Sequence, residues 1–206
     1  MSEAYHIIKN GREKGPFTFN ELIRQHLDID TRVLSPAAGN WEDACDVPEL
    51  YSYFEGMGIY FPAISNLASF WWRLSAYGID SLIMGVIAYL IFYKLTQSGV
   101  IDSDSPGDML LALFILHTVI ILYNTICETM PMKGSIGKRI CKLVVVNVDG
   151  GNIGFLTALK RNIYKILSRL MFYLGFLRVL WDPHRQAWHD EFTGAYVVRR
   201  NGVHGP

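Results

Sequence analysis

SFWWRLSAYGIDSLIMGVIAYLIFYKL (residues 69–95) reads as a membrane span, yet it carries Arg73 at its mouth and Asp80 well inside. An ionised carboxylate at the bilayer centre costs about 3 kcal/mol even on the mildest scales, so Asp80 demands a polar partner or a task. A second apolar run lies downstream. Residues 77–95 and 109–127 each come close to the roughly 20 residues that cross about 30 Å of hydrocarbon. Trp71 and Trp72 stand where an interfacial aromatic belt belongs.

The loop between the two runs, QSGVIDSDSPGD (97–108), has three aspartates and no Lys or Arg. Residues 129–165 instead carry Lys133, Lys138, Arg139, Lys142, Lys160, Arg161 and Lys165. The excess of basic residues orients the helices, with the acidic loop outside and the basic loop and the N-terminus in the cytosol. The opening MSEAYHIIKN has none of the features of a signal peptide, which agrees with a cytosolic N-terminus.

Half of the 206 residues are apolar, and mean hydropathy is +0.19. The zero formal charge conceals a division, because residues 1–58 hold ten acids and five basic residues and the remainder holds nine acids and fourteen basic residues. Cys45, Cys127 and Cys141 are odd in number and widely spaced, which indicates reduced thiols and neither a disulfide framework nor a zinc site.

The front segment predicts a small α+β unit. A strand over residues 5–8 is followed by an Asn10-Gly11 turn, Gly15-Pro16-Phe17, and a helix capped by Thr18 or Asn20 with Leu22, Ile23 and Leu27 on its apolar face. A further strand covers residues 31–34, and Trp41 with residues 47–50 closes the unit. YHIIKNGREKGPFTFNELIRQHLDIDTRVLSPAAGNWEDACDVPEL (5–50) resembles the second type of GYF domain, a module of bacterial membrane-protein fusions. The resemblance implies binding of a protein or proline-rich peptide on an aromatic surface, with Tyr5, Phe17 and Trp41 as its residues. The GYF tripeptide itself is absent from the segment, and the same three aromatics also suit plain core packing. The domain is expected over residues 1–52, with a semi-ordered linker over 53–66.

In the basic loop, KLVVVNVDGGNIGF (142–155) has the β-branched run and Asp-Gly-Gly turn of a hairpin. Residues 163–181 form a third apolar stretch, interrupted by Lys165, Arg169 and Arg178. Lys165 and Arg169 share a helix face, which suits an interfacial or re-entrant helix, while a true span would carry the basic tail outside. Lys138, Arg139, Lys165 and Arg169 are accordingly expected at anionic lipid headgroups. The predicted fold is an α-helical membrane domain of two transmembrane helices, with a third interfacial, re-entrant or spanning helix and a cytosolic β-hairpin, behind the α+β front domain.

Residues 67–200 resemble the RDD family of small membrane proteins, named for one arginine and two aspartates. Arg73 and Asp80 match the arginine and the first aspartate, Asp190 in DPHRQAWHDEFTGAYVV matches the second, and KGSIGKRICKLVVVNVDGGNIGFLTALKR matches the loop between them. The resemblance implies a bacterial inner-membrane address and a transport role suggested for some members, including cation/proton exchange. Two or three spans enclose little space, so transport requires a homo-oligomer.

Arg73 and Asp80 are seven apart, on one helix face and roughly 10 Å from each other, so each needs its own partner. Asp80 with His117 in the second run outlines a polar path; alternatively Asp80 pairs with Arg139 or Arg185 and locks the bundle. Asp190 is expected to cap or to pair with the basic loop, ahead of a closing strand over residues 195–199. His184, His189, Asp182 and Asp190 lack a recognised ligand spacing, so no metal is assigned, and no other cofactor is indicated. No nucleophilic triad or phosphate-cradling loop is evident, and the basic loop beside a membrane points to lipid rather than nucleic acid. The chain therefore reads as non-enzymatic: a transporter, or a membrane-anchored adaptor whose front domain recruits a partner.

Overall fold

The computed structural model describes residues 4–37 and 39–200, which divide into two compact units meeting at Phe61 and Pro62. In the front unit, β1 (Tyr5–Lys9) and β2 (Arg12–Phe17) form a hairpin around Asn10 and Gly11. Both turn residues have positive φ (55° and 70°), the backbone that a tight two-residue hairpin requires and that Asn-Gly adopts readily. After it come α1 (Phe19–Leu22), β3 (Arg32–Leu34) and β4 (Trp41–Asp43), giving an antiparallel sheet in the order β2-β1-β3-β4. Thr18 caps α1 in a reciprocal box with Glu21, the Thr18 amide donating to Glu21 Oε2 over 2.9 Å. The predicted helix is shorter than its apolar spacing suggests, because a 3-10 turn over Ile23–Gln25 and a left-handed His26 end it.

Alternation along β1 buries Tyr5 and Ile7 against Leu22, Val33, Val47 and Leu50. The expected linker is corrected here. Helix α2 (Tyr51–Gly56) sends Phe54 into this core, where its ring lies 5.3 Å from that of Phe61, and the Tyr53 hydroxyl accepts the Leu27 amide. Residues 53–61 thus complete the front core rather than bridging two domains.

The second unit contains α3 (Phe70–Gln97) and α4 (Pro106–Thr129), the two helices among the described residues long and apolar enough to cross a membrane. Their apolar side chains are not a soluble core: Leu82 is 71% exposed, Leu110 69% and Phe114 70%. That much exposed apolar surface over 28 and 24 residues has its natural solvent in lipid.

Between and beyond the spans lie α5 (Ile136–Ile140), β5 (Leu143–Val146), α6 (Phe155–Leu170), α7 (Leu174–Leu177), α8 (Trp188–Glu191) and β6 (Tyr196–Arg199). The expected hairpin is corrected. β5 and its Asp-Gly-Gly turn exist, but the chain then enters α6, and β5 pairs antiparallel with β6 from Leu143↔Arg199 to Val146↔Tyr196. All four β5 residues are buried. The Ala68 amide donates to Val197 O over 2.9 Å and the Arg199 amide to Asn66 O over 2.8 Å. One small sheet therefore ties the entrance of α3, the basic loop and the tail together.

The third apolar stretch also differs from expectation. Helix α6 begins eight residues before 163, ends at Leu170, and the chain reverses through left-handed Phe172 and Tyr173 before α7. Its polarity is inside out: Ala158, Arg161, Asn162 and Ser168 are buried, whereas Phe155, Leu156, Ile163, Leu167 and Leu170 are exposed. At 16 residues, about 24 Å, it is short for a span, and an apolar outer face suits a helix bedded in the interface.

Candidate functional site

At the end of the bundle where α3 begins and α4 finishes, five elements bring their charges together. Arg73, in the first turn of α3, reaches the fully buried Asp190 of α8, with Nη1 2.5 Å from Oδ2. Arg161, 1% exposed on the inner face of α6, donates from Nε to Asp190 Oδ1 at 2.8 Å and from Nη1 to Glu128 Oε1 at 2.7 Å. Glu128, fully buried in the last turn of α4, also takes Lys138 and, at 3.2 Å, Lys165 Nζ. Asn162 Nδ2 donates to Glu128 Oε2 over 3.2 Å, and Lys165 Nζ donates to Asn162 Oδ1 over 2.6 Å. Four basic side chains thus hold two carboxylates in one continuous network.

The backbone fixes this arrangement. Asp190 is the third residue of α8 and receives the Ala187 amide at 3.2 Å, so it closes its own helix start while serving both arginines. Arg73 spends its remaining donors on carbonyls, Nη2 to Arg185 O at 2.6 Å and Nε to Ala68 O at 3.2 Å. Burial pushes the Asp190 carboxyl upward, but Arg161 and Arg73 outweigh it and hold it well below the usual carboxylate range. Burial in turn pulls the Lys165 ammonium down to about 7, against the attraction of Glu128. Burial also takes His189, whose ring lies 4.9 Å from Phe176, well below its ordinary value, so it stays neutral.

Asp80 sits apart from this network. Its Oδ2 accepts the Ser135 hydroxyl at 2.5 Å and its Oδ1 the Gly137 amide at 2.7 Å. Helix α5 lies directly on α3 there: a Cβ on Gly137 would overlap the Ala76 carbonyl and come 2.8 Å from Asp80 Cγ. Helix α3 extends about 42 Å, roughly 12 Å more than the hydrocarbon, so part of it stands clear of the apolar layer. The segment from Ser135 to Gly137 supplies the carboxylate's polar donors.

The sequence-predicted residues therefore divide. Arg73 and Asp190 meet, and Asp190 both accepts the Ala187 amide at the start of α8 and pairs with Arg161 of the basic loop. The expected pairing of Asp80 with Arg139 or Arg185 is corrected: Arg139 is exposed, and Arg185 donates to Leu67 O at 2.8 Å. His117 is exposed on α4, with Nδ1 2.8 Å from Leu113 O, and no hydrogen bond or ion pair joins it to Asp80. Lys138 and Lys165, expected at headgroups, turn inward to Glu128, while Arg169 is half-buried with no partner for Nε among the described residues. In the front unit Tyr5 is buried, Phe17 packs against the core and Trp41 is half-buried on β4. Among the described residues, no three His, Cys, Asp or Glu side chains converge as metal ligands.

Glu128, Arg161 and Asn162 were not singled out as site residues by sequence reasoning. A signal was present, since Glu128 is the one acid between Asp108 and Asp149, directly after an apolar run and amid the basic loop.

The RDD family model matches residues 67–194, and the model of GYF domain 2 matches residues 5–50. The uncharacterized protein YxaI of Bacillus subtilis (strain 168) is 28% identical over 146 residues, 64% of this chain and 96% of its own. The uncharacterized protein YckC of the same organism is 30% identical over 147 residues, 69% of this chain and 87% of its own. No solved structure matches. The span carrying Arg73 and Asp80, the loop that returns over it and the tail that delivers Asp190 all fall within the matched region, and the chain belongs to the RDD family of membrane proteins, with a GYF domain 2 at its front.

Proposed function

We propose that this is a non-enzymatic adaptor of the bacterial plasma membrane, in which the RDD unit is the anchor and the cytoplasmic front unit recruits a protein partner. The observation that carries this reading is the commitment of all three family residues to partners within the unit: Arg73 and Asp190 to each other and Asp80 to Ser135 and Gly137. Such contacts fix geometry and leave none of the three open to a solute. The front unit, by contrast, has its own core and presents β2 as an edge strand whose residues from Arg12 to Pro16 are exposed. An exposed edge accepts an extended segment by strand addition, and half-buried Trp41 and Phe17 offer aromatic surface to a proline-rich one. The acidic 97–108 loop and the basic 129–165 loop support a cytoplasmic location for the front unit and the charge network.

Residues 1–61, expressed alone and labelled for NMR, are expected to shift their β2 and Trp41 resonances with a panel of extended and proline-rich peptides. Uniformly unperturbed spectra across the panel would contradict recruitment through this unit.

One observation favours a second reading, transport of a small ion or ligand by an oligomer. Lys165 gives up its proton near neutrality inside a network that already carries two more positive than negative groups, which is the chemistry of a proton-linked gate. Proton-coupled flux in sealed vesicles, sensitive to Lys165→Met, is its test.

A further inference from the structure

We infer that the entrance of α3 holds a binding site for the phosphate of an anionic phospholipid, seated between Arg185 and Arg199. A cavity of about 160 Å³ opens there, lined by Ser65, Ser69, Trp72, Arg185 and Arg199 among others. A water occupies about 30 Å³ of liquid, so the space accommodates a group of roughly five heavy atoms, the size of a phosphate.

The two arginines are the chemical evidence. Neither pairs with a carboxylate among the described residues, whereas Arg73, Arg161 and Arg178 each do. Arg185 uses Nη1 on Leu67 O at 2.8 Å, and that bond aims the rest of its planar fork, while Arg199 lies 3.9 Å over the Trp72 ring. Two oriented guanidiniums on one cavity match the oxygens of a phosphate, and the Ser65 and Ser69 hydroxyls add neutral donors. No Asp or Glu lines the cavity, so nothing there meets the cationic end of a zwitterionic headgroup.

The setting selects a lipid over a free ion. Trp71 is 69% exposed beside the cavity, at the level where aromatic belts sit, and the exposed apolar side chains of α3 begin one turn further on at Leu74. A phosphate in the cavity therefore places its acyl chains along α3. Occupancy is also felt inward, because the Arg185 carbonyl is the acceptor for Arg73 Nη2 at 2.6 Å. A bound lipid steadies the loop that positions Arg73 against Asp190. The site depends on the membrane setting alone and stands whether or not the front unit binds a peptide.

The test is native mass spectrometry of the purified full chain titrated with phosphatidylglycerol, beside thermal unfolding in phosphatidylcholine nanodiscs with and without phosphatidylglycerol. Wild type is expected to retain phosphatidylglycerol and to gain thermal stability from it. R185Q/R199Q is expected to weaken retention about tenfold or more, the single R199Q variant to weaken it in part, and K160Q, an exposed basic position on α6, to leave it unchanged. R199Q replaces an exposed side chain and keeps the test valid if the double variant misfolds. Equal retention by wild type and R199Q would overturn the site. A stability gain from inorganic phosphate that phosphatidylglycerol does not add to would overturn the lipid as the source of the phosphate.

Discussion

Replacing Glu128 with Gln keeps the shape of the side chain and removes the charge on which Arg161, Lys138 and Lys165 converge. Before the change four cations share two carboxylates; afterwards they share one, and Asp190 contacts neither Lys138 nor Lys165. Breaking one partner of a buried ion pair costs about 3–5 kcal/mol, because the remaining charges stay desolvated. Total stabilities of about 5–15 kcal/mol leave such a variant marginal. The loss is expected to be larger at pH 6 than at pH 9, since Lys165 relieves part of it by releasing its proton. The assay is reversible unfolding of the full chain in mixed micelles, followed by tryptophan fluorescence. E128Q combined with R161M is expected to lose less than the sum of the two single changes by about 1–3 kcal/mol. A loss below about 1 kcal/mol for E128Q, or strict additivity in the pair, would refute the network as the clasp of this unit.

Two further outcomes follow from the same geometry. Gly137→Ala is expected to cost about 1–3 kcal/mol, because its Cβ meets the Ala76 backbone; Gly78→Ala, with open space around it, is expected to be neutral, and thermal unfolding compares the two. Lys165 titrates at about 7 in the fold against 10.5 unfolded, so the unfolded chain binds the extra proton between those values. Stability contributed by this group therefore rises with pH from about 7 to 10.5, and Lys165→Met is expected to flatten the rise in a series of unfolding curves.

Much of this architecture is legible in the sequence, and the rest fails for identifiable reasons. Asn10-Gly11, the Thr18/Glu21 box and the two apolar runs are local signals, decided by residues within a few positions of one another. Arg73 and Asp190 stand out as charges in apolar or aromatic settings, but they meet across 117 residues, and no local pattern encodes that pairing. The turn over 147–151 is as local as the first hairpin, yet the strand that completes β5 lies some fifty residues downstream, where the tail returns. Helix α6 misleads most. Periodicity locates its two faces, but a soluble protein would turn Arg161 and Asn162 outward, and here the apolar face is the exposed one while the polar one is the interior. Lys138 and Lys165 look like headgroup contacts only while Glu128 goes unnoticed as their shared acceptor.

The most direct measurement of whether the family's intramembrane carboxylate is a lock or a carrier pairs ion flux with assembly for Asp80→Asn. Wild type and D80N, reconstituted in sealed vesicles, are compared for cation/proton exchange, and each is unfolded in micelles alongside. The account predicts no flux that depends on Asp80, and a stability loss of about 1 kcal/mol as charge-assisted bonds to Ser135 and Gly137 become neutral ones. Exchange by wild type that D80N abolishes while unfolding as wild type does would contradict it, and would make Asp80 a carrier of cation or proton.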